Sequence, residues 1–196
     1  NYELIVVDNG STDESFKIIK EVVERMNIKS KITRLERNLG FTGGNNVAYR
    51  ARSPDSKYIV LLNNDAVPYS DGLRNLVEVM ENDETLGSAQ GILLNYDEKS
   101  IDTAGGFDSE FLTSYLFLNY REPGALRREI YVSHANGAYA IYRVKAVEKA
   151  VGTCNRILDE DLFCFREDDL IGFKLWNAGF KNKSFPFIVA KHKRGS

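Results

Sequence analysis

LIVVDNGSTDESFKII, residues 4–19, decides the fold class. Leu4 to Val7 is an apolar, β-branched run of the kind found in buried parallel strands. It stops at Asp8, and DNGSTDE (8–14) is dense in turn-forming residues. Ser11 and Glu14 have the S-x-x-E spacing of a capping box. Behind them Phe16, Ile19, Val22, Val23 and Met26 share one helical face, as in a helix lying on a sheet. The pattern recurs. KITRLE (31–36) predicts a short strand, RNLGFTGGNN (37–46) a long Gly/Asn loop, and 47–52 a helix. YIVLL (58–62) predicts a second fully buried strand, running into Asn63, Asn64 and Asp65. An amphipathic helix over 72–82 carries Leu73, Leu76, Val77 and Met80, and 88–94 reads as a further strand. Alternating strands and helices predict an α/β fold with a mainly parallel central sheet flanked by helices.

After residue 95 the rhythm breaks. Residues 96–130 are polar and aromatic, with Gly105-Gly106 and Pro123-Gly124 as turns, and predict an irregular insertion or a second half-domain. A strand is expected over 132–142, a short helix over 144–151, a helix over 170–177 closed by Gly179, and a last strand over 185–190 before the basic tail KHKRGS. The division expected is a half at 1–95 and a half at 96–196 of one domain.

Composition narrows the function. The 196 residues (22.2 kDa) suffice for a core without disulfides or a structural metal. With 26 basic and 28 acidic residues the net charge is -2, which argues against a general nucleic-acid binder. No apolar run approaches the ~18 residues of a transmembrane helix. No signal-peptide pattern is present, and the chain opens inside a structural element, so a preceding segment is expected. Cys154 and Cys164 match no zinc spacing and are expected to be reduced, half-buried residues of a cytoplasmic protein.

In an open parallel sheet, ligands bind beyond the carboxyl ends of the strands. Asp8 and Asp65 each follow a predicted buried strand and are expected at one rim. Their chemistry suits a nucleotide diphosphate. One carboxylate accepts from a base imide or ribose hydroxyls, and another holds a divalent cation bridging the diphosphate. Asn63 and Asn64 add neutral donors and acceptors. The glycines at 40–44 let backbone approach a ligand, although neither a P-loop nor a G-x-G-x-x-G fingerprint is present. Six carboxylates lie within 159–169. Glu167 and Asp168 stand at a predicted helix start, where the dipole favours them or where a general base can sit. His192, past a strand, suits a metal or phosphate role or a surface position. Lys191, Lys193 and Arg194 are expected to offset diphosphate charge or form a solvated tail. His134 has no evident partner and reads as structural.

Taken together, these pieces resemble the family-2 glycosyltransferases, inverting nucleotide-sugar enzymes of Rossmann-like GT-A fold. IVVDNGSTD (5–13) is similar to the family's first nucleotide-binding turn, and RNLGFTGGNN to a loop of its rhamnosyltransferase-like branch. LLNNDA (61–66) stands where relatives carry a D-x-D-type metal site. NGAYAIYR (136–143), FREDDL (165–170), AGF (178–180) and the His-x-x-Gly-Ser ending match later motifs. The resemblance implies that Asp8 contacts the base, that Asn38 and Gly40 line the donor pocket, and that Asn63, Asn64 and Asp65 meet ribose and metal-diphosphate. It implies Asp168 as base with Glu167 in support, and Asp65 and His192 at a divalent Mg or Mn ion. It further implies a UDP-sugar or dTDP-rhamnose donor and a saccharide or lipid-linked saccharide acceptor, and it allows a homodimer and peripheral attachment at the inner membrane face. The sequence departs from the family in four ways: its first strand and helix are missing before Asn1, N-N-D replaces D-x-D, Leu170 stands where relatives often carry an acid, and the chain stops at Ser196 where relatives usually continue with helices.

Phe107, Phe111, Tyr115, Phe117 and Tyr120 are expected either to stack on an acceptor sugar or to serve a core or interface. Three rivals compete: a non-catalytic nucleotide-sugar-binding relative, a receiver-like phospho-acceptor domain, and a sugar nucleotidyltransferase. Length and the late E-D motif weigh against the second. The lack of a Gly-rich loop with a basic residue near the first strand weighs against the third.

Overall fold

The computed structural model describes residues 1–111 and 113–194, in two compact units. The first comprises Asn1–Ser56 and Thr153–Glu167. Its strands β1 (Leu4–Asp8) and β2 (Ser30–Arg34) pair in parallel, Leu4 opposite Ser30 through Asp8 opposite Arg34. Between them runs helix α1 (Ser15–Arg25). The expected capping box does not form. Asp8 Oδ1 accepts from the Ser11 amide at 3.2 Å, and Asp13 Oδ1 accepts from the Ser15 amide at 3.0 Å, so the turn's own carboxylates take the amide donors. Val23 is buried as expected, whereas Val22 and Met26 are about half exposed at 50% and 48%.

Helix α2 (Gly40–Arg50) replaces much of the predicted Gly/Asn loop. Glycine is a poor helix former, but here its missing side chain allows close packing. A Cβ on Gly44 would lie 3.3 Å from the Asn9 amide, and one on Gly40 would strike the Phe163 carbonyl at 2.3 Å. Asn46, fully buried, ties 153–167 to this helix. Its side chain donates to Leu158 O at 3.0 Å and accepts from the Ile157 and Leu158 amides, both at 3.0 Å. Both cysteines lie on this 153–167 segment and are exposed rather than half-buried.

The second unit comprises Lys57–Gly152 and Asp168–Ser196. It opens with β3 (Tyr58–Leu62), β4 (Ala66–Pro68) and helix α3 (Gly72–Asn82). The ten-residue strand β5 (Leu86–Asn95) follows, then β6 (Ile101–Thr103), β7 (Gly106–Asp108), β8 (Ser114–Leu116) and β9 (Ile130–Tyr131). Strand β10 (Tyr139–Arg143), helix α4 (Val144–Val151), helix α5 (Glu167–Asn177) and strand β11 (Lys181–His192) complete it. Of the strand expected over 132–142 only 139–142 forms, within β10, while 132–138 make the turn between β9 and β10, and α5 begins three residues earlier than expected. Seven strands form a sheet of order β3-β10-β5-β11-β4, with β6 added on β5 and β9 on β11, while β7 and β8 make a separate hairpin. The sheet is mixed. Its centre, β5 with β11, is parallel, and β3, β10 and β4 join antiparallel. Strands β1 and β3 are only partly buried, not the fully buried strands their composition suggested.

Leu76 and Met80 of α3 pack on Leu86, Ala89, Leu93, Ile141 and Val189, while Ile92, Leu94, Ile101 and Leu126 form a second cluster. Phe117 packs on that second cluster. Phe111, Tyr115 and Tyr120 are exposed. Gly179 closes α5 with φ +90°, and the Gly179 and Phe180 amides return to the Trp176 and Leu175 carbonyls at 3.0 Å.

Glu3 is a partly buried anchor of the first unit. Burial raises its carboxyl, but the Ser53 amide at 2.6 Å, Lys31 at 3.3 Å and Lys29 at 3.5 Å outweigh that and hold it at about 2, below the usual 4.5. A depressed carboxylate contributes stability that is present above its unfolded value and lost as pH falls through its folded one. Melting temperature measured from pH 5 to pH 2 should therefore fall less steeply in Glu3→Gln than in the wild type. Parallel curves would show that Glu3 does not carry this acid sensitivity.

Candidate functional site

In the first unit, Asp8 ends β1 with its side chain fully buried and 3.3 Å from Arg34 Nε. Asn9 then stitches the turn to the start of α2. Its Oδ1 accepts from the Leu39 amide at 2.9 Å, and its Nδ2 donates to Asn38 Oδ1 and Gly40 O, each at 2.9 Å. Asn38 Oδ1 also accepts from the Gly40 amide at 2.7 Å. Gly40 has φ +75°, a left-handed conformation suited to glycine. The structure thus brings Asn38 and Gly40 together through Asn9, which sequence reading treated as part of a turn. Glu167 is buried at the start of α5, and Phe165 and Arg166 before it have φ of +70° and +71°.

In the second unit, register assembles a carboxylate–imidazole cluster. Strand β4 pairs antiparallel with β11, Ala66 opposite His192, so Asp65 falls one residue beyond the ladder and its carbonyl accepts from the Lys193 amide at 2.9 Å. His192 Nε2 lies 3.0 Å from Asp65 Oδ1, and Nδ1 lies 2.9 Å from Asp102 Oδ2. Arg194 Nε bonds the other oxygen of Asp102. The hydrogen bond to Asp102 raises His192 above the usual 6.5 against burial that lowers it, with the charges of Asp102 and Asp65 adding to the rise. Sequence reading found Asp65 and His192 and missed Asp102, which sits in a three-residue strand without a recognisable motif. Asn63, whose amide bonds Ala138 O at 3.0 Å, and the exposed Asn64 form the turn from β3 to β4. Lys191 and His192 belong to β11 rather than to a tail, and Lys191 pairs with Glu98 at 2.7 Å. Gly195 and Ser196, the end of the closing motif, lie outside the described residues.

Asp168, partly exposed in the first turn of α5, is held by a turn between β9 and β10. Its Oδ2 lies 3.3 Å from Asn136 Nδ2 and 3.4 Å from the Gly137 amide, and its Oδ1 accepts from the Asp169 amide at 3.0 Å. Gln90 of β5 supports that turn, its Oε1 accepting from the Asn136 amide at 2.6 Å.

His134 is not the partnerless residue expected. Nδ1 meets Asp108 Oδ2 at 3.0 Å and Nε2 meets Asp169 Oδ1 at 3.1 Å, with all three side chains buried. One ligand atom from each lies within 4.8 Å of the others, so the group can hold a metal. Nothing in the spacing 108, 134 and 169 announces it. Asp65 and His192, the pair expected at a cation, stand 3.0 Å apart. Neighbouring ligands of one ion, at about 2.1 Å each, stand about 3 Å apart.

Comparison with known proteins follows from this geometry. Solved structures that share the fold include the following three. A crystal structure of GalNAc-T7 with UDP, GalNAc and Mn2+ superposes with a TM-score of 0.76 at 15% identity, covering 99% of this chain and 37% of that one. The mannosyltransferase PcManGT from Pyrobaculum calidifontis, in complex with GDP-Man and Mn2+, gives 0.68 at 19% identity, covering 98% and 49%. Residues 1–349 of S. aureus TarS, in complex with UDP, give 0.66 at 15% identity, covering 97% and 51%. The chain thus spans about half or less of the length of these neighbours. Their shared architecture is the GT-A fold. A profile described as Glycosyl transferase family 2 matches residues 1–151, and the chain belongs to that family. No curated protein matches it.

Gly172 on α5 packs directly on the His134 turn. An added Cβ would meet His134 Cβ at 2.5 Å and Ser133 O at 2.6 Å. Gly172→Ala should cost about 1–3 kcal/mol, the usual range for overpacking, and lower the melting temperature by several degrees. An unchanged melting curve would mean that this contact relaxes freely.

Proposed function

We propose that this chain transfers a sugar from a nucleoside-diphosphate sugar to a hydroxyl of a saccharide or glycolipid acceptor, with inversion. A UDP-sugar or dTDP-rhamnose is the donor, in line with the rhamnosyltransferase-like loop at 37–46. The observation that carries the reading is the 3.0 Å contact between Asp65 and His192. A carboxylate and an imidazole at that spacing are a donor set for a divalent Mg or Mn ion. Such an ion supplies charge stabilisation for a departing diphosphate. Family membership and neighbours crystallised with UDP, or with Mn2+ alongside UDP or GDP-Man, support it.

The residues divide the work as follows. Asp8 exchanges Arg34 for the base imide. Asn38 and Gly40 shape the donor pocket, and Asn63 and Asn64 meet ribose and diphosphate. Asp168 takes the proton of the acceptor hydroxyl, whose oxygen attacks the anomeric carbon opposite the leaving group, and Glu167 supports it. Bonds from Asn136 and Gly137 aim the Asp168 carboxylate. In this reading residues 1–95 carry most donor contacts, and 96–196 the acceptor contacts and the base. Exposed Phe111, Tyr115 and Tyr120 offer rings to an acceptor sugar. No helix among the described residues is long and apolar enough to cross a membrane.

Calorimetry with UDP, dTDP and GDP, each with and without Mn2+ or Mg2+, tests the reading. Metal-dependent binding of one nucleotide is expected, and Asp65→Ala should abolish it. Asp168→Asn should bind that nucleotide as the wild type does and lose about 100- to 10,000-fold in transfer rate. Binding without transfer in the wild type would favour a non-catalytic nucleotide-sugar-binding protein. Normal turnover by Asp168→Asn would place the base elsewhere.

A further inference from the structure

We propose that Asp102 is a positioning residue that fixes the ring orientation and tautomer of His192, so that Nε2 is presented beside Asp65 as a ready metal ligand. The proposal rests on the reading of Asp65 and His192 as the metal pair.

Asp102 arrives there by an irregularity of the sheet. Leu93 of β5 pairs with Thr103 and Leu94 with Ile101, so a single step on β5 spans two on β6. Asp102 is the extra residue of this β-bulge, a feature that re-aims a side chain out of the regular alternation. The result is a fully buried carboxylate, which is costly unless paired. Asp102 has two partners. Oδ2 faces His192 Nδ1 at 2.9 Å, and Oδ1 bonds Arg194 Nε. Asn119 steadies the same strand by donating to the Asp102 backbone carbonyl at 2.6 Å.

A carboxylate accepts and cannot donate, so the imidazole nitrogen facing Asp102 must carry a proton and keep it when a cation arrives at Nε2. That leaves Nε2 as the nitrogen whose lone pair is released when a cation displaces its proton. Ligand histidines are commonly held this way by a second carboxylate, and loss of that partner typically weakens metal affinity by about 10- to 100-fold. Arg194 pairs with the other oxygen of the same carboxylate. An asparagine at 102 would preserve the shape. Its amide can present a donor instead, which no longer selects between the nitrogens.

The test uses Mn2+ as the probe. Free Mn2+ is measured by electron paramagnetic resonance in titrations of the wild type, Asp102→Asn and Asp65→Ala. Asp102→Asn is expected to bind Mn2+ about 10- to 100-fold more weakly with its circular dichroism unchanged, and Asp65→Ala to lose binding. Wild-type affinity in Asp102→Asn alongside lost binding in Asp65→Ala would overturn the role of Asp102 and leave the site standing. Unchanged binding in Asp65→Ala would remove the site itself, and the proposal with it. A second measurement needs no variant. The chain has two histidines, which makes its imidazole 15N spectrum tractable. With Zn2+ as a diamagnetic probe, Nδ1 of His192 should stay protonated while the Nε2 resonance shifts. A bare Nδ1 would overturn the proposal.

Discussion

Strand β5 is the constraint on which the second unit depends. Nine of its ten residues are buried, so its peptide groups must be paired within the protein. One edge is paired along its length by β11. The other is shared in succession, β10 taking Ser88 and Ala89 and β6 taking Leu93 and Leu94. Gln90 falls between those two pairings, and its side chain reaches the Asn136 amide. The gap in the ladder therefore becomes the support for the turn that holds Asp168.

The same register explains why Asp65 and His192 meet at one end of the sheet. Four strands in the order β6, β5, β11, β4 run side by side, and Asp102, His192 and Asp65 come from three of them or from the residue just beyond. A one-residue slip in any ladder would turn a side chain to the opposite face. The bulge at Asp102 is such a slip, built in locally, and it converts a position in the strand alternation into a partner for His192.

Asp168 depends on a different device. The next residue, Asp169, is tied to His134, and Asp168 itself leans on Asn136 and Gly137 two and three residues beyond His134. One short turn thus grips two successive residues of α5. Glycine makes this possible, since a Cβ on either Gly106 or Gly172 would collide with His134. In the first unit Asn9 plays a comparable part, pinning the β1 turn to the start of α2 with three side-chain bonds.

Local pattern was enough to read much of this protein. Apolar β-branched runs announced β1 and β3, helical periodicity announced α3 and α4, and acids at a helix start announced Glu167 and Asp168, because these signals lie within one turn or one strand. Asp65 was legible as a residue following a strand, and His192 was expected just past one but ends β11 itself. The α/β class and the family followed from motif order. Tertiary structure decided the rest. Gly40 to Gly44 became helix because close packing on Asn9 and Phe163 outweighed glycine's poor propensity. The antiparallel entry of β10 and β4 was invisible, since pairing direction depends on partners far away in sequence. Asp102, 90 residues from His192, and the cluster of Asp108, His134 and Asp169 exist only because strand register and a bulge bring them together. A chain's composition fixes which groups are available, while burial and register decide which of them meet.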